Sequence, residues 1–312
     1  MKEINNTQRK HITHLFVRRH ERLMGLFFAG LSALFYVALD VLRKLLGQKM
    51  AALPVALGLN LGALPIYLGV LVATNAGAWD RTFVLVATLL AGTQAVASLL
   101  YVQAVTLSPL SLTVPYLSFT PVIAAFIALA VLHEVPHAFG MVGIVLVAGG
   151  AMVLQADSPV QWRTLVLAPV REPGSWRMLL VAALWGVTTP LNKIAIAHGS
   201  EALLACWSAG GSAALLGLCW GTRLVRHPPV WEPLSLSMVL LLVLAALAVG
   251  GAVLCQFFAY RELLVAYVET IKRFGSLLSV VIGTLVFGEK GLAQRLPAAT
   301  VMTIGVMCLM WR

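Results

Sequence analysis

Glu269, Lys272 and Arg273 are the only charged side chains in the run from residue 264 to 287. Their spacing of i, i+3 and i+4 sets all three on one face of a helix, and Ser276 continues that face. At mid-bilayer an ionised side chain costs about 2.5 to 3.5 kcal/mol on insertion scales, so such a face should look into a wet cavity. Glu269 can neutralise one of the two cations, which leaves one positive charge. A lysine supplies a compact point charge and an arginine a planar fork, a pairing suited to the carboxylate or phosphate of a small anion or zwitterion. Glu269 is in addition a candidate for coupling to protons. Two structural readings compete: an ion pair that serves only packing, and extension of Lys272 to the nearer membrane surface.

A second charged set comprises Asp40 and Arg43 in the first apolar run and Lys193 in the sixth. Basic groups near helix ends commonly anchor to headgroups, and that role stands beside binding or gating for Arg43 and Lys193. Asp40, one turn from Arg43, can pair with it or face a ligand. Gln94, Tyr101, Gln103, Thr188, Asn192, Gln256 and Tyr260 add polar groups that could orient a ligand or bond between helices. Residues 133 to 137 read HEVPH, formally the zinc pattern of two His at i and i+4 around a Glu. Pro136 opposes the regular helix that pattern needs, so no metal is expected. The four cysteines, Cys206, Cys219, Cys255 and Cys308, lie in apolar runs without ligand spacing and read as packing residues. No phosphate loop or nucleophile elbow is present, so neither catalytic residues nor a cofactor is expected.

The elements that must carry these residues are membrane helices. Of 312 residues, 60% are hydrophobic and 11% charged, far from the composition of soluble domains. The apolar runs reach the length of a bilayer crossing. Crossings are expected near 24 to 46, 51 to 74, 83 to 106, 113 to 132, 138 to 155, 178 to 197, 201 to 221, 235 to 259, 264 to 287 and 294 to 311. The runs are continuous and do not alternate, which excludes a barrel and gives an all-α membrane protein of ten transmembrane helices. Pro121 and Pro190 are expected inside helices. Residues 1 to 23 form a basic tail, read as an unstructured segment that sets orientation or as a short interfacial helix through Ile12, Leu15 and Phe16. The net charge is +10; six of the basic residues lie in that tail and the others are scattered through short loops, which suits lipid headgroups, so no nucleic-acid partner is expected.

The stretch AVLHE (130 to 134) aligns with LVFGE (285 to 289), and the same shift pairs Tyr101 with Gln256, Ala104 with Ala259 and Gly150 with Gly305. A slightly shorter shift pairs Phe35 with Trp185, Arg43 with Lys193 and Asn60 with Gly210. Residues 24 to 156 and 178 to 312 are therefore two five-helix repeats joined by a loop over 157 to 177. Five is odd, so the second repeat starts from the opposite membrane face. Such inverted repeats place a site between two bundles near mid-depth and support alternating access.

The segments SFTPVIAAFIALAVLHE and KRFGSLLSVVIGTLVFGE, each leading into a Gly-containing last helix, together with WGVTTPLNK (185 to 193), resemble the EamA-type branch of the drug/metabolite transporter superfamily over residues 24 to 311. That resemblance implies ten helices, cytoplasmic termini and export or exchange of a metabolite. The segment around Lys272 and Arg273 is also similar to the plastid phosphate translocators of the same superfamily, where an adjacent Lys-Arg binds the substrate phosphate. The expectation is a secondary transporter of a small anionic or zwitterionic metabolite, with Lys272, Arg273, Glu269, Ser276, Tyr101, Gln256, Lys193 and Asp40 as candidate binding residues. A flippase for a phosphate-bearing headgroup and a non-transporting membrane interaction protein are the alternatives. The chain is expected in a cell inner membrane with both termini cytoplasmic, as a monomer or homodimer.

Overall fold

In the computed structural model, the described residues are 2–47, 49–74, 79–107, 114–154, 172–226, 235–273, 275 and 292–310. Among them the fold is entirely helical. We label the helices α1 (Lys2–Gly47), α2 (Ala52–Ala73), α3 (Arg81–Leu107), α4 (Thr120–Leu132), α5 (Ala138–Leu154), α6 (Pro173–Ala197), α7 (Glu201–Arg226), α8 (Leu236–Glu262), α9 (265–273) and α10 (Leu292–Met310). Six helical stretches, in α1, α2, α3, α6, α7 and α8, are long and apolar enough to cross a bilayer, and shorter apolar stretches lie at Tyr116–Leu132, Ala138–Val153 and Thr300–Leu309. Helices satisfy their own backbone polar groups, which the hydrocarbon interior demands.

Three details differ from the sequence expectation. The basic tail is helical from Lys2 and continuous with α1, so it is not an unstructured segment in its backbone. The fourth apolar run is divided into a 3-10 turn, Val114–Phe119, and α4. Pro121 thus lies in the first turn of α4, where its missing N–H has no intrahelical partner to lose. Pro190 does lie inside α6, which begins at Pro173, earlier than the apolar run suggests, because a proline is well suited to a first helical turn.

The described helices pack in matched pairs. Helix α1 packs on α8 and α3 on α6; α2 packs on α8 and α3 on α7; α2 meets α7 and α5 meets α10. Exchanging every helix for its counterpart five places along the chain maps this set of pairs onto itself. Small residues permit the close approaches. A methyl group on Gly62 of α2 would lie 2.6 Å from the Ala246 Cβ of α8, and one on Gly211 of α7 would lie 2.7 Å from the Ala91 Cβ of α3. Gly143 of α5 and Gly305 of α10 face each other so closely that an added methyl on either would meet the other's carbonyl, at 2.5 and 2.9 Å. The arrangement leaves a space between the two halves.

Candidate functional site

That space is a cavity of about 190 Å³ lined from α1, α2 and α3 of the first half and α6, α7, α8 and α9 of the second. On the α9 wall, Glu269, Lys272, Arg273 and Gly275 all line it. The Lys272 ammonium donates to the Glu269 carboxylate at 2.8 Å and to the Gln256 side-chain carbonyl at 2.8 Å. It also lies 4.6 Å from the centre of the Tyr36 ring, a cation–π contact. Side-chain exposure is 8% for Lys272 and 2% for Glu269, so extension of Lys272 to the membrane surface is excluded in this conformation. Tyr260 of α8 donates to the same Glu269 oxygen at 2.7 Å. The Gln256 amide N–H donates in turn to the Tyr260 hydroxyl, and Tyr36 donates to the Gln256 carbonyl at 2.8 Å.

The α1 wall carries Asp40 and Arg43, whose side chains approach to 3.8 Å. The Arg43 guanidinium lies 5.2 Å from the centre of the Tyr101 ring, and Tyr101 stacks on Trp185 with ring centres 5.8 Å apart. Trp185 donates its indole N–H to Gln94 at 3.2 Å, and Gln94 donates to Ser98 at 3.2 Å. All six residues line the cavity. Helix periodicity explains the α1 wall, because Tyr36, Asp40 and Arg43 recur at i, i+4 and i+7. Arg43 is therefore a wall residue and not a headgroup anchor.

Lys193, although the repeat partner of Arg43, does not line the cavity. Its ammonium is 2.5 Å from Glu134 Oε1 and 2.9 Å from the Leu263 carbonyl. The other Glu134 oxygen accepts from the Val265 N–H at 3.0 Å. Glu134 thus joins the α4–α5 connection to α6 and caps α9, and the structure places Lys193 in that contact. Residues 133–137 are non-helical and His137 Nδ1 accepts from the Gly140 N–H at 3.0 Å, so HEVPH cannot present two ligands from one helical face. At the same end of the molecule, Asp80 meets His198 at 2.8 Å and Glu201 meets Arg261 at 3.4 Å. Asp80 caps α3 by accepting the Phe83 N–H at 2.8 Å, and this bond, with His198 beside it, holds its carboxyl below the usual carboxylate range.

Of the eight candidate residues, Lys272, Arg273, Glu269, Tyr101, Gln256 and Asp40 line one cavity, Lys193 belongs to the Glu134 contact, and Ser276 lies outside the described residues. The sequence reading passed over Tyr36 and valued Trp185 only as a mark of the repeat. Tyr36 was findable, since it lies one turn from Asp40 on the same face. Trp185 was not, because its stacking on Tyr101 joins helices from different halves.

Residues 23–155 match the family model described as EamA-like transporter family. No curated protein matches the sequence. A solved protein crystal structure superposes with a TM-score of 0.72 at 17% identity, over 93% of this chain and 97% of its own. At that identity the likeness extends to the fold alone.

Proposed function

We propose that this chain, which matches the EamA-like transporter family over residues 23–155, is a secondary transporter of the drug/metabolite transporter superfamily that exports or exchanges a small anionic or zwitterionic metabolite by alternating access. The observation that carries the proposal is the pair of cations, Lys272 and Arg273, in the wall of a cavity shared by both halves. Asp40 with Arg43 contributes no net charge, and Glu269 offsets one cation of α9, so the walls carry one net positive charge. A carboxylate or phosphate complements it. Amino acids, organic acids and small phosphorylated compounds meet this requirement. The chain acts without covalent chemistry on its substrate, in a cell inner membrane with both termini cytoplasmic.

Alternating access requires the two halves to part at each end of the cavity in turn. The contacts of Glu134 with Lys193 and Val265, with Asp80–His198 beside them, hold the halves together at the end where α6 finishes and α7 and α9 begin. These bonds release when that end opens.

Uptake into proteoliposomes tests the proposal, with substrates chosen by screening amino acids, organic acids and sugar phosphates for thermal stabilisation of the purified protein. The expected result is saturable flux that Arg273→Gln and the charge-free pair Lys272→Gln/Glu269→Gln abolish at normal folded yield. Flux that survives both changes would overturn the assignment of this wall as the binding site.

A further inference from the structure

We propose that Tyr260 and Gln256 are positioning residues that aim the Lys272 ammonium at the ligand through a closed hydrogen-bonded ring. The ring runs from Lys272 to Glu269, from Glu269 to Tyr260, from Tyr260 to Gln256 and from Gln256 back to Lys272. It rests on the reading of Lys272 as a ligand-binding cation.

The chemistry of the four groups permits only one sense of this ring. An ammonium only donates and an ionised carboxylate only accepts. The Tyr260 hydroxyl therefore donates to Glu269, and its oxygen is left to accept. Within the ring only the amide nitrogen of Gln256 can supply that donor, with the Thr189 hydroxyl beside Tyr260 from outside it. This fixes the amide: nitrogen toward Tyr260, carbonyl oxygen toward Lys272 and the Tyr36 hydroxyl. The flipped amide would set an NH2 against an ammonium and face the Tyr36 hydroxyl with a second donor.

The ring engages two of the three Lys272 N–H groups, and the Tyr36 ring flanks the ammonium at 4.6 Å. Lys272 itself lines the cavity. Tyr260 has no exposed surface and is absent from the cavity wall, so it reaches a ligand only through its neighbours. Gln256 is both a wall residue and the hinge of the ring. The first half has no equivalent: by the repeat, Tyr101 and Val105 stand where Gln256 and Tyr260 do, and Leu117 stands where Lys272 does. The preference for a negative group is thus built into one half of a duplicated frame.

Thermal unfolding of the detergent-solubilised full chain, with inorganic phosphate against sodium chloride at equal ionic strength, tests this. Phosphate is expected to stabilise the wild type, and the pair Lys272→Gln/Glu269→Gln is expected to lose that increment. Tyr260→Phe is expected to raise the apparent Kd for phosphate about tenfold, as for a charge-assisted hydrogen bond presented at the wrong angle. Gln256→Met opens the ring at the next bond, is expected to do the same, and serves alone if Tyr260→Phe fails to give monodisperse protein. The decisive quantity is the phosphate-dependent increment, because a purely structural role would lower the ligand-free Tm and leave the increment unchanged. Wild-type increments in Tyr260→Phe and Gln256→Met, beside a lost increment in the charge-free pair, would overturn the ring and leave the binding site standing. An increment absent from the wild type, or kept in the charge-free pair, would overturn both.

Discussion

At the residue scale, the cavity separates charge by position. Lys272 and Arg273 stand on α9, and Asp40 on α1 is half exposed to the same space. A carboxylate there repels a second negative charge and attracts an ammonium. Asp40→Asn should therefore shift preference from zwitterions toward dianions by about tenfold, the effect of one charge-assisted hydrogen bond, read as the ratio of KM values for an amino acid and a dicarboxylate. Burial also separates two kinds of lysine variant. Lys272→Ala removes the ammonium bound to the buried Glu269 carboxylate and should cost about 3 to 5 kcal/mol of stability. The charge-free pair removes both ions together and should unfold close to the wild type, which is measurable as Tm. The trio on α9 was legible from sequence because an ion in hydrocarbon is expensive and its spacing names one face. The closed ring was not, since a glutamine and a tyrosine in a membrane helix bond to neighbours far more often than to a lysine's counter-ion.

At the element scale, Glu134 matters because it bonds to two elements of the other half. One oxygen meets Lys193 of α6 and the other takes an N–H from the start of α9, one of the donors a helix cannot satisfy internally. Glu134→Gln keeps the shape, removes the charge and leaves Lys193 facing a carbonyl and an amide. Closure at that end should weaken, and a cysteine at Thr188 in the cavity wall should react several-fold faster with a thiol reagent supplied from that side. The reversal Glu134→Lys with Lys193→Glu should restore little, because the α9 N–H and the Leu263 carbonyl would each then face the wrong partner. The outer contact depends on pH. Asp80 has a folded pKa below its unfolded value, so its stabilisation is complete above the unfolded carboxylate range and is lost as pH falls through the folded pKa. The stability difference between wild type and Asp80→Asn should thus be present at neutral pH and close below about pH 4. The repeat aligns the glutamate of AVLHE with that of LVFGE, Glu134 with Glu289, which lies outside the described residues. It could not show the partner, because Lys193 is distant along the chain and looks like any basic group near a helix end.

At the scale of the whole molecule, the helical membrane frame was the part most open to reading from sequence. Long uncharged runs require helices in lipid, and AVLHE against LVFGE relates one set of five to the next. The observed pairing, with α1 on α8 matched by α6 on α3, has the symmetry that duplication implies. Run length alone did not reveal the 3-10 turn before α4, because Val114–Phe119 is as apolar as a helix. The binding asymmetry lies in the exceptions to the repeat, where Lys272, Gln256 and Tyr260 have no counterparts of their type. The most direct test is a cysteine in place of Arg273, in a background with the native cysteines replaced, exposed to a water-soluble, membrane-impermeant, negatively charged thiol reagent. Fast modification that slows in the presence of transported anions is the predicted result. A thiol that stays inert in folded protein from both sides of the membrane would contradict a hydrated anion site on α9.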